Sequence, residues 1–300
     1  MANNQPLISI IILNYNQLKV TCEFIDSTRK LAYKNFEIIL VDNASRENPT
    51  AYIQQHYPEV KLIVNDTNLG FTGGNNVGIR AAKGDYYFVV NNDTEVTENL
   101  LENMLEPFQK DPSIGVVSPK IRYFSSPSII QYAGFTEINP FTGRNKPIGG
   151  KEEDRGQHDV AGYTSYAHGA AMLVKKEVVE KVGVLPDIFF IYYEELDWSA
   201  HIRRAGYKIY YQPKALIYHK ESITMGKESP MKAYYHNRNR ILFMRRNTNP
   251  VQFSFFMLFL TFAVVPKTVL TYIMKGQFLH LKNFFRGLVW NLRTSKYSNA

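Results

Sequence analysis

The sequence predicts an α/β fold in which helices cover a mostly parallel sheet. Four apolar runs lie about one helix length apart, and the segments between them have helix-compatible apolar spacing. The runs occupy residues 7–14, 35–43, 60–66 and 85–93. Strands that alternate with helices favour parallel pairing, because parallel strands need a crossover connection.

All four runs end in amide or carboxylate side chains. These are Asn14, then Asp42 with Asn43, then Asn65 with Asp66, and finally Asn91, Asn92 and Asp93. One polar strand end is ordinary, because Asn and Asp favour turns and helix starts. Four on one edge predict a ligand site, since open α/β sheets bind ligands beyond the carboxyl ends of their strands.

The middle of the chain is less regular. Residues 119–165 are rich in Pro, Gly, Ser and Tyr, which predicts loops with short strands near the site. Residues 168–183 predict a strand and a short helix. Residues 189–211 predict a strand or loop, a helix from about Glu195 to Arg204 that ends before Gly206, and another strand.

Charge is unevenly distributed along the chain. The net charge is +8, but the last acidic residue is Glu228 and eleven basic residues follow it. Residues 1–228 hold the other 24 of the 35 basic residues and all 27 acidic ones, a net charge of −3. A mildly acidic body with a basic tail predicts a nucleic-acid or membrane partner.

The tail begins near Pro230, and its sequence favours a membrane as the partner over nucleic acid. Its uncharged run, residues 251–266, is shorter than the roughly 20 residues of a spanning helix, and Lys267 follows it. Apolar stretches then alternate with single cations, which is typical of helices in a membrane interface. A buried helical subdomain is the alternative. Nucleic acid is not expected, because its binding face would be polar.

Two further observations concern the compartment. The single cysteine, Cys22, excludes an intramolecular disulfide, and the stretch MANNQPL lacks the basic-then-apolar pattern of a secretory signal. We therefore expect a cytoplasmic chain that is attached peripherally to the inner face of the cell membrane.

Four segments, in this order, resemble the motifs of family 2 inverting glycosyltransferases, of the rhamnosyltransferase-like branch. They are ISIIILNYNQ, EIILVDNAS, NLGFTGGNNVGIRAAKGDYYFVVNND and FFIYYEELDWSAHIRRAGYKI. The resemblance covers roughly residues 7–247. It implies the GT-A fold, a nucleotide-sugar domain on a Rossmann-like sheet, at residues 1–228, with a membrane-associating helical segment at residues 229–300.

The resemblance implies that the strand ends and the glycine-rich loop bind the nucleotide sugar. Asp42 would accept a hydrogen bond from a uracil or thymine ring, and the glycines would let the backbone approach the donor. A dinucleotide site is rejected, because that fingerprint follows the first strand with different spacing. The implied residues are Asn14, Asn16, Asp42, Asn43, Asn68, Gly70, Gly73, Asn76, Asn91, Asn92 and Asp93.

Asn91, Asn92 and Asp93 stand where the family carries its D-x-D metal motif. Asp93 is thus an implied ligand of Mg²⁺ or Mn²⁺, which take oxygen ligands and leave positions to water and substrate phosphates. Asn91 departs from the motif in charge. His219 is placed like the histidine that completes the metal shell in relatives, although a lone histidine after a strand is as often structural.

YEELD matches the family's Glu-Asp-x-Asp segment and implies Glu195 as the base that takes the acceptor's proton. Glu194 is the alternative base, and Asp197 would organise the site or pair with a helix arginine. The helix dipole alone also favours acids in a first turn. Arg238 and Arg240, in the following Tyr-rich helix, would meet a diphosphate or a lipid phosphate, or be solvated.

The expected activity is transfer of a sugar, with inversion, from a dTDP- or UDP-sugar to a glycan or polyprenyl-linked acceptor in surface-polysaccharide synthesis. The branch suggests L-rhamnose from dTDP-rhamnose. Three alternatives remain: a UDP-hexose-dependent transferase of the same family, a non-catalytic nucleotide-sugar-binding subunit, and a nucleic-acid-binding protein.

Overall fold

The computed structural model describes residues 5–220 and 229–297. The expected domain boundary at residue 228 and the first four residues of the amino-terminal stretch lie outside them. The first part alternates strands and helices as the sequence predicted. Its elements are β1 (Ile8–Asn14), α1 (Leu18–Thr28), β2 (Phe36–Asp42), α2 (Thr50–His56), β3 (Lys61–Val64), α3 (Gly70–Ala81), β4 (Tyr86–Val90), β5 (Thr94–Val96) and α4 (Leu100–Lys110).

The remaining elements include the strand and short helix predicted at residues 168–183, and the predicted acidic helix, which begins one residue earlier than expected. They are β6 (Ile114–Tyr123), β7 (Ser126–Tyr132), β8 (Gly162–Thr164), β9 (Ala171–Lys175), α5 (Lys176–Val182), a 3₁₀ turn (Asp187–Phe189), α6 (Glu194–Arg204), β10 (Lys208–His219), α7 (Pro230–Asn247), α8 (Pro250–Phe259), a π-helical turn (Leu260–Val264), α9 (Val265–Met274) and α10 (Phe278–Arg293).

The strands form one mixed sheet. Its order is β3-β2-β1-β4-β9-β6-β10-β5, with β7 paired to β6 and β8 to β10. β1 runs parallel to β2 and β4, and β2 runs parallel to β3, so their carboxyl ends share one edge as predicted. β9 runs antiparallel to both β4 and β6. The strands β3-β2-β1-β4 are therefore all parallel, and beyond the antiparallel β9 the strands β6 and β10 form another parallel pair.

Helices cover both faces of this sheet. Ile8, Ile10 and Ile12 of β1 belong to a core that includes residues of α1, α2 and α4. Ile11 points to the other face and packs in a core with residues of α3, α5 and α6. This alternation follows from the two-residue period of a strand, and burial on both faces explains why β1 is apolar throughout.

The segment predicted as loops, residues 119–165, contains more strand than expected. β6 alone has ten residues and pairs in parallel with β10. Lys120 lies in this strand yet is buried, because its ammonium group is 2.9 Å from the Asp154 carboxylate. Asp154 also binds Arg122, so the charged loop that follows is held against the sheet. The sequence alone does not reveal that partner.

The C-terminal helices differ from one another in burial. α7 buries Ile241–Met244 against residues such as Phe189, so this first helix of the C-terminal segment fits the buried-subdomain alternative. α8, the π-helical turn and α9 instead form one apolar helix over Pro250–Met274, with 17% of its most apolar stretch buried. It is long and apolar enough to cross a membrane. The length argument against a span was wrong, because the helix continues past Pro266 and Lys267.

Candidate active site

Asn14 and Asp42 join the carboxyl ends of β1 and β2. They are paired in the sheet, and the Asn14 amide donates to Asp42 Oδ1 at 2.6 Å. Ser45 donates to the same carboxylate from its hydroxyl at 2.7 Å and its N–H at 2.9 Å. Asn14 Oδ1 accepts from the Thr21 hydroxyl. Asn14 therefore orients Asp42, whose carboxylate keeps about one of its four acceptor positions for a ligand.

Asn43 and Asn68 shape the loop that leads into α3. Asn43 donates to Asn68 Oδ1 at 2.9 Å and to the Gly70 carbonyl at 3.0 Å. Its own Oδ1 accepts from the Leu69 N–H. Asn16 lies exposed at the same edge, with φ +56, and accepts from the Arg46 N–H at 2.8 Å. Asn43 and Asn68 thus bind each other, and Asn14 and Asn16 bind other groups of the same edge, which together fix its shape.

The glycines of the loop before α3 pack closely on protein, and the approach of this loop to a donor stays a prediction. Gly70 has φ +73, and a Cβ there would lie 2.5 Å from the Phe190 carbonyl oxygen. The Thr72 N–H donates to that carbonyl, so this donor of the α3 amino terminus is already satisfied. A Cβ on Gly73 would meet Leu69 of the preceding turn at 2.7 Å. These glycines allow the loop and α3 to pack closely.

Asn76, also predicted to bind the nucleotide, contacts the segment before α6. It is fully buried, and its amide donates to the Leu185 carbonyl at 2.8 Å and to Asp187 at 2.6 Å. Its oxygen accepts from the Leu185 N–H. In this conformation Asn76 has no free polar atom for a ligand and instead anchors the segment before the acid pair. The sequence placed it in the loop motif but could not reveal which face of α3 it occupies.

Asp93 and His219 meet in a buried pair. His219 Nε2 lies 3.1 Å from Asp93 Oδ1, and both residues are less than a tenth exposed. His219 Nδ1 lies 2.8 Å from Gln131 Oε1, which can only accept, so Nδ1 carries the proton. In the neutral ring Nε2 is then an acceptor that faces another acceptor. Asp93 Oδ1 has no hydrogen-bond donor.

Asn91 adds a second unsatisfied oxygen at this position. Its Oδ1 is buried without a partner, and its Nδ2 lies 3.5 Å from His219 Nε2. These side chains therefore suit a divalent cation, and a histidine whose other nitrogen donates to a side-chain oxygen is typical of a metal ligand. Across residues 5–220 and 229–297, no three His, Cys, Asp or Glu side chains form a metal-binding group. Asn92 donates to Thr21 and belongs to the Asn14 network.

Glu194 and Glu195 begin α6 and form an adjacent acid pair. Glu194 is buried, and both residues have a buried Oε2 without a hydrogen-bond partner. Burial raises the pKa of Glu195 to about 7. Burial, and then the charge of Glu195, raise the pKa of Glu194 well above its ordinary value. Two adjacent carboxyls of this kind can store and release a proton near neutral pH.

A main-chain connection joins the acid pair to the Asp93 region. A methyl group at Gly169 would lie 3.6 Å from the Glu195 carboxyl carbon. The carbonyl of the next residue, Ala170, accepts from the Asn91 N–H at 2.9 Å. The loop between β8 and β9 therefore contacts both groups, and its small residues leave space there. His168 of this loop stacks on Phe135, and burial lowers its pKa to about 3.

The turn before α6 is held in an unusual conformation. Phe190, Tyr192 and Tyr193 have φ values of +64, +71 and +73, which bulky residues rarely adopt. The fully buried Asn239 amide lies 2.7–2.9 Å from three main-chain carbonyls of this turn. Such strain persists only where surrounding contacts enforce it. Asn239 was not predicted, because nothing local in the sequence indicates a partner nearly 50 residues away.

Arg238 and Arg240 are buried, so the alternative that they are solvated is wrong, and their contact with a phosphate stays a prediction. Each is 6% exposed. The Arg238 guanidinium donates to two carbonyls of the same turn and lies 4.4 Å from the centre of the Trp290 ring. Arg240 donates to the Thr142 carbonyl. Aromatic rings and carbonyls replace water around both cations.

Asp197 pairs with a helix arginine, one of the two roles predicted for it. The carboxylate is fully buried, and Arg246 Nε lies 3.1 Å from each of its oxygens. The Asn247 amide donates to it at 2.6 Å. Its contacts join α6 to α7, so the structure supports no role as a proton acceptor. Glu194 and Glu195 remain the candidate bases of this segment.

Comparison with known proteins agrees with this architecture. A Sinorhizobium fredii protein of uncharacterized function is 28% identical over 266 residues, which are 83% of this chain and 28% of that protein. The N-acetylglucosaminyl-diphospho-decaprenol L-rhamnosyltransferase of Mycobacterium tuberculosis is 22% identical over 79% of this chain and 84% of its own length.

Solved structures share the fold. A Pyrobaculum calidifontis mannosyltransferase, in complex with GDP-Man and Mn²⁺, superimposes with a TM-score of 0.60 over 97% of this chain and 88% of that one, at 14% identity. The α/β GT-A fold expected from the resemblance is thereby confirmed. The family model described as glycosyl transferase family 2 matches residues 9–183. The chain therefore belongs to glycosyl transferase family 2.

Proposed function

We propose that this chain transfers a sugar, with inversion, from a dTDP- or UDP-sugar to a glycan or polyprenyl-linked glycan acceptor. The observation that carries the proposal is the buried meeting of Asp93 Oδ1, which has no hydrogen-bond partner, with His219 Nε2 at 3.1 Å. Membership of the family supports the reaction class.

In the proposed site Asp93 and His219 hold Mg²⁺ or Mn²⁺, with Asn91 able to add a neutral oxygen. A divalent cation there supplies Lewis-acid stabilisation of the departing nucleoside diphosphate. With so few protein ligands, the affinity of this site for metal depends on the nucleotide's phosphates. Gln131 keeps the His219 ring in the tautomer whose Nε2 can act as a ligand.

Glu195 is the proposed base. The acceptor hydroxyl gives its proton to Glu195 while its oxygen forms a bond to the anomeric carbon. The bond from that carbon to the diphosphate oxygen breaks on the opposite face, which inverts the configuration. A pKa of about 7 suits this step, because Glu195 is then basic enough to take the proton and is largely ionised above neutral pH. Burial, and then the charge of Glu195, also raise the pKa of Glu194, which stays the alternative base beside it.

For the donor we favour dTDP-L-rhamnose. The name of the mycobacterial relative, an L-rhamnosyltransferase, supports this choice at 22% identity. The free acceptor position of Asp42 suits the imide N–H of thymine and equally that of uracil. A UDP-hexose is therefore the alternative donor. By the same comparison, the proposed acceptor is a diphosphate-linked glycolipid used in surface-polysaccharide synthesis.

We also propose that residues 1–228 form the transferase domain and that residues 229–300 attach it peripherally to the cytoplasmic face of the membrane. The C-terminal helices expose many large apolar side chains, among them Phe262, Met274, Phe278 and Leu292. Five exposed cations lie among them: Lys267, Lys275, Lys282, Arg286 and Arg293. An exposed apolar face with interspersed Lys and Arg suits an anionic membrane surface.

The test is thermal unfolding with UDP, dTDP and GDP and their sugars, with and without Mn²⁺. A nucleotide at a hundred times its dissociation constant adds about 2.7 kcal/mol of stability. We expect stabilisation by dTDP or UDP that is larger with Mn²⁺ and is lost in Asp93→Ala. A folded protein that responds to no nucleotide would contradict the proposal.

A non-catalytic nucleotide-sugar-binding subunit is the second candidate, since Asn91 leaves the metal motif one charge short. Slow hydrolysis of the donor in the absence of acceptor distinguishes the two. Hydrolysis that is lost in Asp93→Ala excludes the binding subunit. Tight donor binding without any hydrolysis favours it.

A further inference from the structure

A basic cleft lies beside the strained turn, between the start of α7 and the junction of α9 with α10. It has a volume of about 280 Å³. The residues that carry the argument are Ser229, Lys232, His236, Asn237, Lys275 and His280. No carboxylate occurs among its lining residues in the described part of the chain. Two ammonium groups with neutral donors around them make a binding site for an anion with several oxygens.

One wall of the cleft contacts the turn that carries the acid pair. The His236 ring stacks on Tyr192 with 4.2 Å between ring centres, and Lys232 Nζ lies 6.0 Å from the centre of the same ring. Tyr192 precedes Glu194 by two residues. Burial and the charge of Lys232 lower the pKa of His236 to about 4, so this ring is neutral at physiological pH. The cleft thus reaches within a few residues of the proposed base.

The other wall belongs to the exposed apolar surface. Lys275 directly follows the apolar helix Pro250–Met274, and His280 lies in the first turn of α10. Met274 is 77% exposed and Phe278 is 67% exposed, so large apolar side chains flank the cations of the cleft. A cation at the end of an apolar helix lies at the depth of lipid phosphates when the helix enters a membrane.

From this arrangement we propose that the cleft binds the diphosphate of a prenyl-diphosphate-linked sugar acceptor. An apolar surface, a pair of ammonium groups and the acid pair follow one another across the molecule. Such an acceptor has the same order of parts: an apolar chain, a diphosphate and a sugar. The cleft would hold the diphosphate and direct the sugar hydroxyl toward Glu195. This inference rests on the proposed transferase function, since it concerns the acceptor of that reaction.

The test measures inorganic pyrophosphate binding to the full chain in detergent with EDTA. Every protein carries Asp93→Ala, so that pyrophosphate does not enter the proposed donor site. Lys232→Ala combined with Lys275→Ala should raise the dissociation constant at least tenfold. The matched control is Lys282→Ala with Arg293→Ala, which removes two exposed cations that do not line the cleft and should change the dissociation constant less than twofold. Equal pyrophosphate affinity in the Lys232→Ala, Lys275→Ala protein (the cleft variant) and the control would overturn the inference.

Two further arms identify the source of the phosphate. A short-chain prenyl diphosphate should compete with pyrophosphate in the Asp93→Ala protein. Flotation on phosphatidylglycerol vesicles should weaken equally in the cleft variant and the control. No competition, together with a specific loss of flotation in the cleft variant, would assign the cleft to bulk lipid headgroups and overturn the inference.

Failure of the proposed function gives a different result. If the unsubstituted protein binds no nucleotide, the transferase proposal fails whatever the pyrophosphate data show. If nucleotide binding is normal and the cleft variant binds pyrophosphate like the control, only the acceptor inference fails.

Discussion

At the scale of single residues, the acid pair gives the sharpest expectation. Glu195→Gln removes the proposed base and keeps the size of the side chain, so turnover should fall by about 10²–10⁴-fold. Nucleotide binding, measured by thermal shift, should persist, because Glu195 lies near Gly169 and not at the Asp42 edge. Glu194→Gln is the matched control. If the Glu194 variant is the inactive one, Glu194 is the base.

The raised pKa of Glu195 also predicts how the free energy of unfolding depends on pH. Its pKa is raised from 4.5 to about 7, so the folded state binds more protons than the unfolded state between these values. Stability contributed by the protonated carboxyl is therefore lost as pH rises through that window. At pH 8 Glu195→Gln should be more stable than the unsubstituted protein by about 1–3 kcal/mol, and the difference should vanish near pH 4. Denaturant unfolding at several pH values measures this, and a pH-independent difference would refute it.

Gln131 is a positioning residue for His219. Gln131→Leu removes the acceptor of the Nδ1 proton, and Mn²⁺ affinity in the presence of nucleotide should fall about tenfold. Gln131→Glu keeps an acceptor and is the control. Electron paramagnetic resonance of Mn²⁺ measures binding directly, and nucleotide affinity without metal should stay constant in both variants. Equal Mn²⁺ affinity in the two variants would show that Gln131 does not orient the ring.

The sequence revealed Asp93 and His219 but did not reveal Gln131. Asp93 and His219 stand at predicted strand ends in recognisable motifs, so their meeting was predictable. Gln131 lies 88 residues from His219, in a segment that the composition indicated as loop. Only the pairing of β7 with β6 brings it there. Contacts between distant segments of this kind leave no signal in a single sequence.

At the scale of elements, the turn before α6 connects the candidate donor side with the candidate base. Phe190 contacts Gly70 and accepts from the Thr72 N–H, while Glu194 and Glu195 follow a few residues later. The turn is held from α7 by Arg238 and Asn239. The sequence predicted α6 from its acids and apolar spacing, but the conformation of the turn depends on α7, which lies beyond β10.

Asn239→Ala should loosen this turn. It removes the donor that three main-chain carbonyls of the turn share, and we expect a loss of about 1–3 kcal/mol in the free energy of unfolding. Turnover should fall at least tenfold, because the acid pair loses its fixed position. Asn103→Ala removes a comparable amide-to-carbonyl hydrogen bond on α4 and should leave turnover unchanged. Normal turnover in a measurably destabilised Asn239 variant would separate the turn from catalysis.

At the scale of the whole molecule, the charge asymmetry in the sequence corresponds to a division in the structure. The acidic body forms the sheet with its covering helices, whereas the basic C-terminal helices contain most of the exposed large apolar side chains. The sequence predicted the uneven distribution of charge, and the domain boundary at residue 228 stays a prediction. It misjudged the apolar helix, because Pro266 and Lys267 resemble helix ends, whereas a π-helical turn precedes Pro266 and the helix continues.

This division predicts reversible association with anionic membranes, which flotation with phosphatidylglycerol liposomes measures. Phe262 is 75% exposed and Leu270 is 59% exposed on the apolar helix, so Phe262→Glu with Leu270→Glu should reduce the floated fraction at least tenfold. Val160→Glu with Tyr52→Glu places the same charges on exposed residues of the body and should change little. Retention on heparin in detergent without flotation would instead favour a nucleic-acid partner, because the basic residues would then bind a polyanion while the apolar surface binds no lipid.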